Sequence, residues 1–476
     1  MKTILIVGGG YAGFYTAWGL EKLLRRGEAR VVLVDPRGYM TYQPFLPELA
    51  AGSVEPRHVA VSLRGHLRTT EVRRGRIVAV RHADRAATFR SPEGDESEIR
   101  YDEIVVTAGA VTRTFPIPGL LEQAIGLKHV EEGVAVHERM LESFDRAAAL
   151  PPGPERERLL TVAVVGGGFS GVELFGELLS LGRALLRSYG EIDRSELRFH
   201  LVEASSRILP EVTDGPGRSV VDELTRRGGG VHLDTQVTSL EDGRMTLSTG
   251  EEFDAGLVVW TAGNAANPVV ARHTDLPVDR RGLLEVRADL RVGTAEHPVE
   301  NAWGAGDDAA VPDVASGVPG ARTVPNAQHA VRQGRLLARN LVAVLRGELP
   351  REYVHHSLGV VATLGMGHGI FQYKRIVVRG PLAWLMHRGY HVLAIPTWER
   401  KARVLAVWVV AFLFGRDIVT IPALRHQSRW LGPGSSQRRW MHLGHRLSIV
   451  TAMTTGAVRS GPFTNSIDWM TSAFSG

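Results

Sequence analysis

Two stretches of the chain repeat one pattern of apolar and polar positions. In the first, the run Ile4-Leu5-Ile6-Val7 meets Gly8-Gly9-Gly10-Tyr11-Ala12-Gly13 and a helix-like segment from Phe14 to Leu24. In the second, Val162-Ala163-Val164-Val165 meets Gly166-Gly167-Gly168-Phe169-Ser170-Gly171 and a helix-like segment from Val172. A further apolar strand follows each and ends in an acid, Val31 to Asp35 and Phe199 to Glu203. Both units later reach a strand that closes on Thr-Ala-Gly, Ile104 to Gly109 and Leu257 to Gly263. Strands separated by helices predict parallel sheets. The expected fold is α/β, and it is duplicated.

Beyond the repeats, a helix is expected from Pro325, placed for a first turn, to about Leu345. After Arg351 the texture changes to Gly-rich strands and then to a Trp- and Arg-rich end. The uncharged stretch Val354 to Tyr373 is long enough to span a membrane, but Gly359, Gly365, Gly367 and Gly369 make it a poor helix. Val404 to Phe414 is apolar all round, yet as a helix it would be ~16 Å long against a ~30 Å hydrocarbon core. It reads either as a core helix or as part of an interfacial anchor. Leu150-Pro151-Pro152-Gly153-Pro154-Glu155 reads as a linker or exposed loop.

With 476 residues the chain has room for two to three domains, and 44% hydrophobic with 22% charged residues suits a folded body with a large core. Cysteine is absent, which excludes disulfides, thiolate metal sites and redox-active dithiols. No metal site is expected. The N-terminal apolar run is four residues long and ends in glycines, so it reads as a first strand rather than a signal peptide, and the chain is expected to begin in the cytoplasm. The net charge of +5 matters only where it is clustered.

A glycine-rich turn between strand and helix lets a backbone approach a pyrophosphate, which rests on the helix N-terminus, while the acid ending the next strand accepts from ribose hydroxyls. Gly8, Gly10, Gly13 and Asp35, with Tyr11 and Ala12 in the turn, are expected to hold one dinucleotide. Gly166, Gly168, Gly171 and Glu203, with Phe169 and Ser170, are expected to hold the other. Thr107, Gly109 and Gly263 close the third strands beside them. Glu203 would repel a 2′-phosphate, which favours NADH over NADPH, although Arg207 nearby could soften the preference. Asn301 to Asp307 ends in Gly-Asp, where Asp307 suits the ribityl chain of FAD. The helix opening at Pro325-Asn326-Ala327-Gln328 would aim its N-terminus at the flavin pyrimidine and put Gln328 near the isoalloxazine.

In order and spacing these motifs resemble the two-dinucleotide-binding-domain flavoproteins. Within that superfamily, Tyr42 to Gly52, Gly166 to Glu173, Leu201 to Ala204, Arg207 to Pro210, Ala327 to Gly334 and Arg400 to Leu405 resemble type II NADH:quinone oxidoreductases, single-subunit enzymes that pump no protons. The resemblance covers about residues 1–422. It implies FAD at the first turn with Asp35 and Asp307, NADH at the second with Glu203, Glu173 beside nicotinamide and flavin, and Ala327 and Gln328 at the quinone end. Disulfide reductases and sulfide:quinone oxidoreductases need thiols, which this chain lacks.

The organisation so implied is an FAD domain at 1–115 and 265–345, an NADH domain inserted at 116–264, a membrane-docking region at 346–424 and a basic tail at 425–476 whose order is left open. Arg400, Lys401 and Arg403 with Trp384, Trp398 and Trp408 favour an interfacial anchor, and Arg425, Arg429, Arg438, Arg439, Arg446 and Arg459 stand in a stretch without acids. The expected partners are a membrane quinone (menaquinone or ubiquinone) and the cytoplasmic face of a membrane, where the protein would sit peripherally. No nucleic acid is expected, because no binding fold accompanies the basic tail. A homodimer is left open. Two other readings also stay open: a soluble reductase of ferredoxin or rubredoxin, and an NADH-sensing flavoprotein with little turnover.

Overall fold

The computed structural model describes residues 1–356, 359–416, 418 and 419, so the basic tail and its arginines lie outside the described residues. Ile4, Leu5 and Ile6 are fully buried, and their strand, Lys2–Val7, lies inside a six-stranded sheet. Ala29–Asp35 and Glu103–Val106 flank it in parallel, Glu71–Arg74 lies beyond the former, and Pro298–Gly304 beyond the latter. Arg291–Gly293 adds an antiparallel edge. A second, wholly parallel sheet repeats the plan: Thr161–Val165 lies between Arg198–Val202 and Leu257–Trp260, with Gly229–His232 and Ala124–Gly126 outside. Phe175 and Leu178 of the helix Phe169–Leu185 are fully buried, while Val165 and Val202 cluster with Met245 and Leu247 of a small antiparallel sheet. Both strand faces are therefore apolar, as the unalternating runs require. Ala110–Thr112 and Asn264–Ala266 pair antiparallel where the chain leaves the first sheet and later returns to it.

Two helices meet closely behind the first sheet. Tyr11–Leu23 lies against Ala327–Leu345, where a Cβ at Gly19 would stand 2.6 Å from the Ala338 methyl and one at Gly334 would stand 2.4 Å from the Ala12 carbonyl oxygen. Thr16 Oγ1 donates to the Ala12 carbonyl at 2.7 Å and to that of Gly334 at 3.2 Å. This contact carries the N-terminus of the later helix to the first glycine turn. The helix begins two residues after the position expected for it: Asn326 caps it by accepting from the His329 amide at 2.9 Å, and Pro325 precedes the cap.

The Gly-rich stretch forms a three-stranded antiparallel sheet, Val360–Thr363, Gly369–Tyr373 and Ile376–Arg379. Helices Pro381–Ala394 and Trp398–Phe414 follow. The last takes in the charged turn before Val404 and has 17 residues, or ~25 Å. Among the described residues no helix is long and apolar enough to cross a membrane. Val404 is fully buried, whereas Trp398 is 81% and Phe414 84% exposed, with Leu405, Val409 and Leu413 also outside. The three tryptophans expected at an interface divide. Trp398 is exposed, but Trp384 and Trp408 clamp the Arg388 guanidinium between their rings at 4.4 and 4.3 Å. A buried cation beside Glu48 draws them inward.

Candidate active site

The two glycine turns agree bond for bond. Gly9 N–H donates to Asp35 Oδ2 at 2.7 Å, and Gly167 N–H donates to Glu203 Oε2 at 2.5 Å. The second carboxylate oxygens accept from the amides of Arg37 and Ser205, both at 2.7 Å. Thr107 and Thr261 amides donate to the carbonyls of Val7 and Val165 at 2.9 and 2.8 Å. Gly8 and Gly166 have φ of +100° and +113°, a region unfavourable to other residues. A Cβ at Gly13 or Gly171 would stand 1.9 Å from the carbonyl oxygen of Gly8 or Gly166, whereas one at Gly10 or Gly168 would meet nothing. Glycine is thus required where the helix closes on the strand, and open space remains where each helix N-terminus faces outward. That is a cradle fitted to a pyrophosphate.

Each cradle opens into a cleft. The first is lined by Gly8, Gly10, Tyr11, Ala12, Asp35, Thr107, Gly109, Asp307 and Ala327, so the structure gathers almost all the residues expected to hold FAD. Gly13 packs behind it. The second is lined by Gly168, Phe169, Ser170, Gly171, Glu173, Gly263, Ala327 and Gln328. Gly166 and Glu203 stand behind that turn. Gln43, Lys128, Asp307 and Ala327 line both clefts, so the two spaces adjoin there. Burial raises the Asp307 carboxyl and lowers the Lys128 ammonium, each opposed by the other's charge. Gln333 fixes the Asp307 loop by accepting from the Gly306 amide at 2.9 Å. Arg207, which could have met a 2′-phosphate, is held by Asp214 and the Val212 carbonyl.

Under the second cleft lies a buried ionisable cluster. Glu173 Oε1 accepts from the Thr363 amide at 3.1 Å and stands 3.1 Å from His387 Nε2. One helical turn on, Glu177 Oε2 accepts from Arg416 Nη2 at 2.9 Å. Glu48 lies 3.6 Å from Arg388 Nη2 and 4.0 Å from His387 Nδ1. Desolvation dominates here: it pushes Glu173 up to about 8 and His387 down to about 3. The two face one another uncharged at neutral pH, a carboxylic acid beside an imidazole. His391, one turn further along, is lowered by burial and meets the Tyr42 hydroxyl at 3.1 Å. The arrangement can bind two dinucleotides head to head and can keep a proton at Glu173.

Sequence reasoning missed Glu48, Glu177, His387, Arg388, His391 and Arg416. A signal existed for some of them. Glu173 and Glu177 are like charges four apart within the otherwise uncharged run Val172 to Leu179, and His387 and His391 repeat that spacing. Nothing local announced Arg416, whose partners come from distant segments.

These folds and turns define a dinucleotide-binding oxidoreductase. The chain belongs to the pyridine nucleotide-disulphide oxidoreductase family, whose model matches residues 2–334. It is 29% identical over 386 residues to the type II NADH:quinone oxidoreductase of Haemophilus influenzae, covering 76% of this chain and 85% of that protein. It is 27% identical over 426 residues to the type II NADH:quinone oxidoreductase Ndh of Mycobacterium tuberculosis, covering 87% and 88%. Its fold is similar to that of NDH2 from Plasmodium falciparum, solved in complex with NADH, with a TM-score of 0.80, 18% identity, and coverage of 88% of this chain and 99% of that one.

Proposed function

We propose that this protein oxidises NADH through FAD and passes two electrons to a membrane quinone without pumping protons. The observation that carries this reading is the pair of clefts, one per glycine turn, which adjoin at Gln43, Lys128, Asp307 and Ala327. The relatives named above support it. FAD, when bound, accepts a hydride and delivers two electrons, and the protein supplies position and field. Asp35 and Glu203 receive ribose hydroxyls, and the open helix N-termini at Gly10 and Gly168 receive pyrophosphates. The helix beginning at Ala327 directs its positive end into the shared space and favours negative charge there. Gln328 orients a quinone carbonyl, and Glu173 holds the proton such a reduction consumes. Bound Arg207 and the carboxylate of Glu203 favour NADH over NADPH.

The same reading makes the outer surface of the last two helices a docking face. Leu382, Leu385 and Leu393 on one and Leu405, Val409 and Leu413 on the other are exposed, with Arg57, Arg400, Lys401 and Arg403 nearby in the chain's basic segments. Each cation close to an anionic leaflet contributes ~1 kcal/mol. The leaflet proposed is the cytoplasmic one. Stopped-flow mixing tests the whole reading: NADH is mixed with FAD-loaded protein, then a quinone analogue in liposomes is added. Rapid bleaching followed by rapid reoxidation is expected, and Gln328→Ala slows only the second phase. Sluggish reoxidation by quinone, with fast transfer to a soluble iron–sulfur carrier, would overturn the quinone assignment.

A further inference from the structure

Away from both clefts, three segments bring metal-ligating groups together. His200 lies in the strand Arg198–Val202, His232 ends the strand Gly229–His232, and Glu251 precedes the strand Glu252–Asp254. His200 Nδ1 stands 3.0 Å from His232 Nε2, and Glu251 Oε2 stands 3.6 Å from His232 Nδ1. One ligand atom from each residue can be chosen so that all three lie within 4.8 Å of one another. We propose that His200, His232 and Glu251 bind a borderline divalent transition metal, Zn²⁺ foremost, at the outer edge of the second sheet.

Several features favour an ion over a mere imidazole pair. Tetrahedral Zn²⁺ with nitrogen ligands at 2.0–2.1 Å sets neighbouring nitrogens ~3.3 Å apart, so the two rings need to part by only a few tenths of an ångström. Gly230 pairs with His200 across the strands and lies beside both donors, where a Cβ would stand 3.4 Å from the Phe199 carbonyl oxygen, 3.5 Å from His232 Nε2 and 3.6 Å from His200 Nδ1. The Phe253 ring stacks on His200 with centroids 4.0 Å apart and planes 17° apart, which fixes the imidazole. Glu251 is half exposed, with Oε2 on the His232 side of the pair. Two imidazoles and one carboxylate select zinc-like ions over Ca²⁺ or Mg²⁺. An ion here would pin the small antiparallel sheet to the strand end whose His232 carbonyl accepts from the Glu203 amide at 2.8 Å.

Zn²⁺ titrated calorimetrically into the full, tag-free chain tests the site, with Co²⁺ as a spectroscopic probe. We expect saturable uptake, a tetrahedral Co²⁺ absorption band, a higher melting temperature with Zn²⁺, and affinity reduced by about tenfold or more in His200→Gln and in Glu251→Gln. Glu251 is on the surface, so its variant decides the matter should His200→Gln fold poorly. Absence of uptake, or uptake unchanged by Glu251→Gln and His200→Gln, overturns the proposal and leaves a hydrogen-bonded histidine pair.

Discussion

Replacing Glu173 by Gln separates the electrostatics of the buried cluster from its packing. Gln has nearly the same shape and can still accept from the Thr363 amide, but it carries no titrating proton. Burial, reinforced by Glu177, carries the Glu173 carboxyl from 4.5 to about 8 against the Thr363 amide, and His387 beside it is neutral. At ~1.4 kcal/mol per pH unit, ionising this side chain in the folded protein costs up to ~5 kcal/mol. Because the folded protein holds the proton more tightly than the unfolded chain does, the stabilisation is complete below 4.5 and is lost as pH rises through about 8. Glu173→Gln should therefore match the parent at pH ~4 and exceed it by several kcal/mol at pH ~9. Urea unfolding of the FAD-loaded protein across that range measures the difference. The quinone half-reaction of the parent should fall off above pH ~8, while that of the variant should be slow and flat. Parallel stability curves for parent and variant would refute the claim that Glu173 is protonated in the folded state.

Gly171→Ala puts a methyl 1.9 Å from the Gly166 carbonyl oxygen and should weaken NADH use about a hundredfold while FAD content is retained; normal bleaching by NADH would show that the second turn holds no dinucleotide. Glu203→Ala removes an acceptor remote from the reacting ring, so the NADH KM should rise about tenfold to a hundredfold with kcat nearly kept, and an unchanged KM would remove Glu203 from the site. Arg416→Ala leaves the fully buried Glu177 carboxylate without its guanidinium and should cost ~3–5 kcal/mol of stability, partly restored by adding Glu177→Gln; a loss below ~1 kcal/mol would mean that water or another cation replaces the pair.

The glycine turns were legible because their chemistry is local. Strand, turn, helix and terminal acid follow one another in a single short stretch of chain, so Gly8 with Asp35 and Gly166 with Glu203 declare themselves without tertiary information. Asp307, Ala327 and Gln328 were legible only through the order of motifs, since their approach to the first turn depends on Gly334 packing on Ala12. Trp384 and Trp408 have a second role that the sequence did not reveal, as half-buried rings flanking Arg388. An amphipathic ring suits a membrane interface or a buried cation equally well, and what decides is whether a carboxylate such as Glu48 demands that cation nearby. The His200–His232 pair left no sequence signature either, because its members come from neighbouring strands with no short spacing between them.

The two C-terminal helices face both ways, which gives the proposed quinone route its direction. Helix Pro381–Ala394 exposes Leu382, Leu385 and Leu393 and buries His387 and Arg388 against the Glu48 and Glu173 carboxyls, with His391 one turn on beside Tyr42. Just after the last helix, Arg416 reaches back to Glu177 and the Ala51 carbonyl. The cations and imidazoles facing the three buried acids are thus supplied from the side that carries the exposed apolar face. A quinone arriving through that face would come first to His391 and Tyr390, which line the second cleft with Gln328. In the proposed reading NADH is held by the turn at Gly168, on the other side of that cleft's lining. Under the proposed function, separate entries to one shared space would let an aqueous donor and a lipid acceptor use the same flavin, and only the route on the C-terminal side would depend on contact with a bilayer.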